Sequence, residues 1–157
     1  NGSPLIQTLG VSTASHSDLH MSGVLSLQTV PYGPSGEVHW GSDVEDLHFD
    51  GNGLVVRVAC EVDDSEGVRG LEIAFKDASA FRYLDELDLA QYWMSEGFVR
   101  GHHVLEVTAG GWSQEINQSQ GYDSSRREWL VVTGNGCISV FALPEPAIRE
   151  LHWSRAA

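Results

Sequence analysis

The chain has 157 residues, of which 41% are hydrophobic and 20% charged, and this composition fits a single globular domain with its own core. Its 22 acidic residues outnumber the 9 basic ones, giving a formal charge of −13. That charge disfavours binding to nucleic acid and to anionic membrane surfaces. No apolar run approaches the roughly 18 residues that would cross a bilayer, so we expect a soluble protein.

The first twenty residues are polar, rich in Ser and Thr, and show no clear pattern. The His20-Met21 pair is typical of a cloning junction, so residues 1–20 are either a leader of partly foreign origin or a native leader that lies against the domain. We expect residues 21–157 to form a single α+β domain. His16 and His20 have the spacing of two metal ligands on one helical face, but no third ligand is evident and no metal or other cofactor is expected.

Strand-like patterns occur at 24–30, 45–49, 54–62, 68–76, 103–110, 129–133 and 137–143, and the segment 147–153 is either an edge strand or one helical turn. Turn sequences separate neighbouring strands at 50–53, 63–67 and 134–136. This order predicts an α+β fold, mainly an antiparallel β-sheet of seven or eight strands, with one central helix packed on a sheet face.

The helix is predicted over residues 81–98, with Asp85 as N-cap and Gly97 as its stop. Its apolar residues cover a broad arc, which predicts a nearly enclosed core helix; the alternative is a surface helix with a few exposed aromatics. We expect Leu89 and Trp93 to contact the sheet face formed by Val56, Val58, Cys60, Leu71, Ile73 and Phe75.

Cys60 and Cys137 lie on predicted strands without CxxC spacing, so we expect two free, buried thiols. A disulfide between them stays open as an alternative, but the sequence carries no convincing secretory signal, which favours the cytoplasm. Cys137 paired with a distant His is a possible nucleophile, although a structural thiol is preferred at that position. His102 and His103 should point to opposite faces of a strand and are interpreted as surface or edge residues.

The segment 110–128 is polar and glycine-rich, and is predicted to be an exposed loop. Trp112 and Tyr122 flank Gln114 and Asn117, a combination that could stack on a sugar ring while the amides bind its hydroxyls. A carbohydrate- or small-ligand-binding module that uses this loop is therefore the alternative function.

Carboxylates are concentrated in turns and in the helix cap. The set comprises Glu37, Asp43, Glu45, Asp46, Asp50, Asp63, Asp64, Glu66, Asp85, Glu86 and Asp88. Solvated turns and a helix N-cap are the usual explanation of such a set; the alternative is a negative surface that captures a basic protein and speeds its association. We take Asp63, Asp64, Glu66, Asp85, Glu86 and Asp88 as candidate partner-binding residues, and no catalytic constellation is identified.

Three pieces in order, FRYLDELDLAQYW, a strand ending in GGW, and REWLVVTGNGCISVFALPEP, resemble small bacterial domains of unassigned function, some of which look like immunity proteins of polymorphic toxin systems. The resemblance covers roughly residues 80–146. It implies an acidic, non-catalytic protein that neutralises a toxin enzyme. It assigns no individual functional residues.

Overall fold

The computed structural model describes residues 26–34 and 36–155, which form nine strands and two helices. The elements in chain order are β1 Gln28–Pro31, β2 Asp43–Asp50, β3 Gly53–Val62, β4 Gly67–Lys76, β5 Ala80–Asp85, α1 Glu86–Trp93, β6 Val104–Ala109, α2 Trp112–Gln120, β7 Glu128–Val132, β8 Gly136–Phe141 and β9 Ala147–Ser154. The predicted leader, with His16 and His20, lies outside the described residues.

The strands form two sheets, one of five strands in the order β1-β6-β7-β8-β5 and one of four in the order β2-β3-β4-β9. Every pairing of named strands is antiparallel. The predicted antiparallel α+β class is therefore confirmed, and the last segment is an edge strand. The additional strand is β5, which we predicted to be the start of the helix; instead it pairs with β8 from Ala80 to Asp85.

The two sheets pack face to face around the main core. One buried cluster combines side chains of both sheets. The four-stranded sheet contributes Val56, Val58, Ile73 and Phe75, and the five-stranded sheet contributes Trp129, Val131, Ile138 and Val140. The prediction that the helix covers this face of the four-stranded sheet was wrong. A second sheet buries more apolar surface than one short helix can, and it occupies the position.

Helix α1 packs on the outer face of the five-stranded sheet. Its Leu89 and Tyr92 lie in a second buried cluster with Leu84, Leu105, Leu130 and Cys137, and Trp93 packs against that cluster while only half-buried. The predicted packing of the helix on a sheet face is thus confirmed, but on the other sheet. Strands β7 and β8 are buried along their whole length because the five-stranded sheet is covered on both faces.

The limits of α1 differ from the prediction at both ends. Asp85 is the N-cap, as expected, but the helix starts after β5 and is capped at Met94 rather than stopped by Gly97. Leu87 and Met94 are 87% and 84% exposed. The enclosed-helix prediction was therefore wrong, since α1 buries one narrow stripe against the sheet.

The predicted exposed loop after β6 contains helix α2, which ends at Gly121 in the left-handed conformation (φ 75°). The N-cap residue of α2 is Gly111, which has no side chain to accept hydrogen bonds from the first amides of the helix. The carboxylate of Glu128, on strand β7, accepts them instead. The helix therefore depends on a contact that lies outside its local sequence.

Candidate functional site

One end of the two-sheet sandwich gathers most of the residues with functional potential. The pairings Gly67 with Ser154 and Asp43 with Ala59 place the β3–β4 turn, the start of β2 and the end of β9 at the same end of the four-stranded sheet. The corresponding end of the five-stranded sheet carries the end of β5, the β7–β8 turn and the start of β6. Ser42 joins the two, because its hydroxyl oxygen accepts a 2.9 Å hydrogen bond from the amide of Gly134.

We call this region the acidic end and define it by seven carboxylates: Asp43, Asp63, Asp64, Glu66, Asp85, Glu86 and Asp88. Six of them are the predicted partner-binding residues. Asp43, at the start of β2, was in the wider acidic set but was not among those six.

The charge of Asp43 interacts with residues beside both predicted clusters. Burial raises the pKa of the Tyr83 hydroxyl, and the carboxylates of Asp43, Asp85 and Glu86 raise it further. On the other side, hydrogen bonding to Glu45 raises the pKa of Arg155, which also feels the charges of Glu66 and Asp43. The same carboxylate thus acts on a neighbour of the helix cluster and on a neighbour of the turn cluster.

Two of the six predicted carboxylates, those of Asp63 and Asp85, accept hydrogen bonds that stabilise the local backbone. Asp63 Oδ1 accepts hydrogen bonds from the hydroxyl of Ser65 at 2.6 Å, from its amide at 2.8 Å and from the amide of Gly67 at 2.9 Å. These bonds lower the pKa of Asp63, and the bond from the Ser65 hydroxyl has the largest effect. Asp85 Oδ1 accepts the amides of Leu87 at 2.9 Å and Asp88 at 3.1 Å.

The other four side chains, those of Asp64, Glu66, Glu86 and Asp88, are exposed. None of the described residues forms an ion pair or a side-chain hydrogen bond with their carboxylates. These four groups therefore keep their full capacity to accept hydrogen bonds from a partner.

Most of the arginines are neutralised by glutamates. The ion pairs join Arg57 and Arg149 to Glu72, Arg69 to Glu61, Arg82 to Glu115, Arg127 to Glu106, and Arg155 to Glu45. The opposite end of the sandwich carries Lys76, the last residue of β4, and Arg126 and Arg127, which directly precede β7. Near the acidic end, Arg69 and Arg155 already have acidic partners, whereas Arg100, between α1 and β6, forms no ion pair with any described residue and donates to the carbonyl oxygen of Trp93 at 3.1 Å.

The alternative ligand-binding residues lie on or just after α2, and the fold already uses most of them. Trp112 stacks on Phe141 at 4.3 Å between ring centroids. Gln114 accepts the amide of Gly110, and Asn117 accepts the amide and hydroxyl of Ser124 and a guanidinium hydrogen of Arg126. Tyr122 is 62% exposed. The side chains of Trp112, Gln114 and Asn117 are therefore already engaged in contacts within the chain.

Sequence reasoning missed one pair of chemically active side chains at the same end of the sandwich. Cys60 Sγ lies 3.6 Å from Nε2 of His103, and Nδ1 of His103 lies 2.7 Å from the carbonyl oxygen of Val132. The residues are 43 positions apart: Cys60 lies on β3 of the four-stranded sheet, and His103 directly precedes β6 of the five-stranded sheet. No local pattern could have paired them, although both were individually noted as strand residues.

The cysteines are unbridged, as predicted. Cys137 is fully buried, burial raises its pKa, and this supports the structural interpretation of that thiol. Cys60 is only half-buried and lines a cleft of about 340 Å³. His102 and His103 line two different cavities, so they do not act on one ligand together.

The comparisons with known proteins add no family. No protein-family profile, curated protein or solved structure matches this chain. Within residues 26–34 and 36–155, no group of three or more His, Cys, Asp or Glu side chains could hold a metal ion. Neither helix described in the structure is long and apolar enough to cross a membrane.

Proposed function

We propose that this chain is a non-catalytic binding protein whose acidic end captures a basic protein, in the manner of an immunity protein that neutralises a basic toxin or enzyme. The observation that carries the proposal is geometric: the strand pairings and the hydrogen bond between Ser42 and Gly134 bring the turn cluster and the helix cluster to one end of the sandwich. Because the clusters share one end of the sandwich, their fields add at that end.

The arrangement suits a protein surface better than a small cation. The four unpaired carboxylates are spread over a hairpin turn and the first turn of a helix, and all are exposed. Exposed charges of this kind contribute little to affinity, but they accelerate the approach of an oppositely charged partner. We therefore expect the acidic end to act mainly on the association rate.

The test compares two variants with the same change in charge. The test variant is Asp64→Asn, Glu66→Gln and Glu86→Gln, which spares Asp63 and Asp85 because their carboxylates hold the turn and the helix. The control variant is Asp77→Asn, Glu96→Gln and Asp123→Asn, three exposed residues near the ends of β4, α1 and α2, away from the acidic end.

The wild type and both variants serve as parallel baits for proteins of the source organism, and the recovered partner is then measured by surface plasmon resonance at 0.01 M and 0.1 M ionic strength. The Debye length falls from about 30 Å to about 10 Å between these conditions. We expect the association rate of the wild type to fall with salt, and the test variant to associate more slowly than the control variant at low salt. An association rate that is equal in the two variants, or indifferent to salt, contradicts the proposal.

A further inference from the structure

The Cys60 and His103 side chains have the geometry of a thiol beside its base. Because the carbonyl oxygen of Val132 can only accept, the 2.7 Å contact assigns the hydrogen of His103 to Nδ1. Nε2 therefore presents its lone pair to Cys60 Sγ at 3.6 Å. A nucleophile, a base and a third group that orients the base are the elements of an activated thiol.

The fold places this pair by an irregularity in β3. Ala59 pairs with Gly70 and Glu61 with Arg69, so Cys60 is an additional residue in a β-bulge between them. A bulge redirects the side chain of the additional residue. On the opposite sheet, His103 directly precedes β6, and its own carbonyl oxygen accepts the amide of Val132 at 2.7 Å. The imidazole is thus held to β7 through both its backbone and its ring.

The thiol lines a cleft of about 340 Å³ that is bounded by the four-stranded sheet, the segment before β2 and His103, and charged groups surround it. Glu37 and Glu61 belong to the loop before β2 and to β3, Arg69 to β4, and Glu150 to β9. Arg69 pairs with Glu61 at 2.8 Å and approaches Glu150 at 3.8 Å. Three carboxylates and one guanidinium line the cleft, so it favours cations over anions.

We propose that Cys60 is a thiol modification site that undergoes exchange with small uncharged or cationic disulfides, with His103 as its base. The Cys60 S–H proton passes to Nε2 of His103 while Sγ attacks one sulfur of the disulfide R–S–S–R. A new S–S bond joins Cys60 to one R–S group as the original S–S bond breaks. The departing R–S⁻ takes the proton from His103 and leaves as R–SH, so the disulfide is the only oxidant required.

The pKa shifts indicate the resting protonation state of the pair. Burial raises the pKa of the Cys60 thiol; Arg69 lowers it, and Glu61 and Glu150 raise it further. Cys60 is therefore a thiol rather than a thiolate at neutral pH, and it needs a base to react. Burial lowers the pKa of His103, which keeps its imidazole neutral and able to accept the proton.

The experiment uses three symmetrical disulfides of similar size: cystamine, which is a dication, bis(2-hydroxyethyl) disulfide, which is uncharged, and 3,3′-dithiodipropionate, which is a dianion. Mixed-disulfide formation is followed by mass spectrometry of the whole chain, and peptide mapping assigns the modified cysteine. Each rate constant is divided by that of the urea-unfolded chain with the same reagent. Cys137 serves as the internal control, because its side chain is 0% exposed in the folded protein.

His103→Asn removes the base, while the side-chain amide of the new residue can still donate a hydrogen bond to the carbonyl oxygen of Val132. His102→Asn is the control at the neighbouring position. We expect His103→Asn to slow the reaction of the uncharged disulfide at least about tenfold, and His102→Asn to change it by less than about twofold. In the wild type the cation should react fastest and the anion slowest. Glu150→Gln, at an exposed position, should reduce the difference between the rate constants of the cationic and the anionic disulfide.

Three results overturn the proposal: equal rates in the two histidine variants, an anion that reacts as fast as the cation, or modification at Cys137 in the folded chain. If circular dichroism shows that His103→Asn has lost its fold, the charge order in the wild type and in Glu150→Gln decides the question. An unchanged order in Glu150→Gln then counts against the proposal.

Discussion

The Oε1 atom of Glu128 accepts a hydrogen bond of 3.0 Å from the backbone amide of Trp112, and its Oε2 accepts the amide of Ser113 at 2.9 Å. The side chain that satisfies the first amides of α2 therefore comes from strand β7, and it is only 1% exposed. Burial raises the pKa of Glu128 above its ordinary value of 4.5, although the two amides oppose the shift. The ionised carboxylate is thus held at a cost in free energy.

Glu128 should make stability depend on pH. A carboxyl with a raised folded-state pKa binds its proton more tightly in the folded protein, so its contribution is fully present below the unfolded pKa and is lost as pH rises through the folded pKa. We expect the free energy of unfolding of the wild type, relative to Glu128→Gln, to fall as pH rises from about 4 to 8. Urea unfolding across this range measures it. The free energy of unfolding of the control variant Glu96→Gln, changed at an exposed position, should vary with pH as that of the wild type does.

Leu89 should anchor α1 to the five-stranded sheet. Its side chain is 0% exposed, while that of Leu87, two residues earlier in the same helix, is 87% exposed. Leu89→Ala should lower the free energy of unfolding by about 2–5 kcal/mol because it leaves a cavity, and Leu87→Ala should change it by less than about 0.5 kcal/mol. Chemical denaturation of the two variants makes the comparison. Similar losses in both would contradict the packing described for α1.

Asp85 should stabilise α1 through its cap. Its carboxylate accepts the amides of Leu87 and Asp88, and Asp85→Ala leaves both without that acceptor. We expect a loss of about 0.5–2 kcal/mol, measured by thermal or urea unfolding. Glu86→Ala is the matched control, because it removes a neighbouring carboxylate that caps no amide. Equal effects of the two substitutions would reduce the role of Asp85 to its charge near the helix dipole.

Ser42 should hold the two sheets together at the acidic end. The buried hydroxyl donates to the carbonyl oxygen of His39 at 2.7 Å and accepts the amide of Gly134 at 2.9 Å. Ser42→Ala removes both bonds from a site without access to solvent, and should cost about 1–3 kcal/mol. Ser119→Ala, at an exposed position of α2, should be nearly neutral in the same urea titration.

Local patterns were sufficient for most strands. In β3, alternation placed Leu54, Val56 and Val58 on one face, and the turn sequences at 50–53 and 63–67 separated β2, β3 and β4 correctly. These features could be predicted because a strand's pleat and a turn's backbone depend on nearby residues. The same holds for the Asp85 cap, which accepts amides two and three residues along the chain.

Local patterns failed where distant residues decide the structure. The segment 80–85 precedes α1 without a turn, but it is a strand because β8 supplies its hydrogen-bonding partners. The polar segment after β6 is helical because Glu128 satisfies its first amides. In both cases a tertiary contact overrides the preference that the sequence expresses.

The sequence alone determined the antiparallel α+β class, most of the strands and the negative charge, because those properties depend on residue type and short-range spacing. Only the tertiary structure decided that a second sheet, rather than the helix, covers Val56 and Ile73. It also decided that Cys60 meets His103, since a bulge in one sheet and the start of a strand in the other must come together across the cleft. Such contacts join residues far apart in the chain, and their positions are set by how the sheets pack, which no short stretch of sequence encodes.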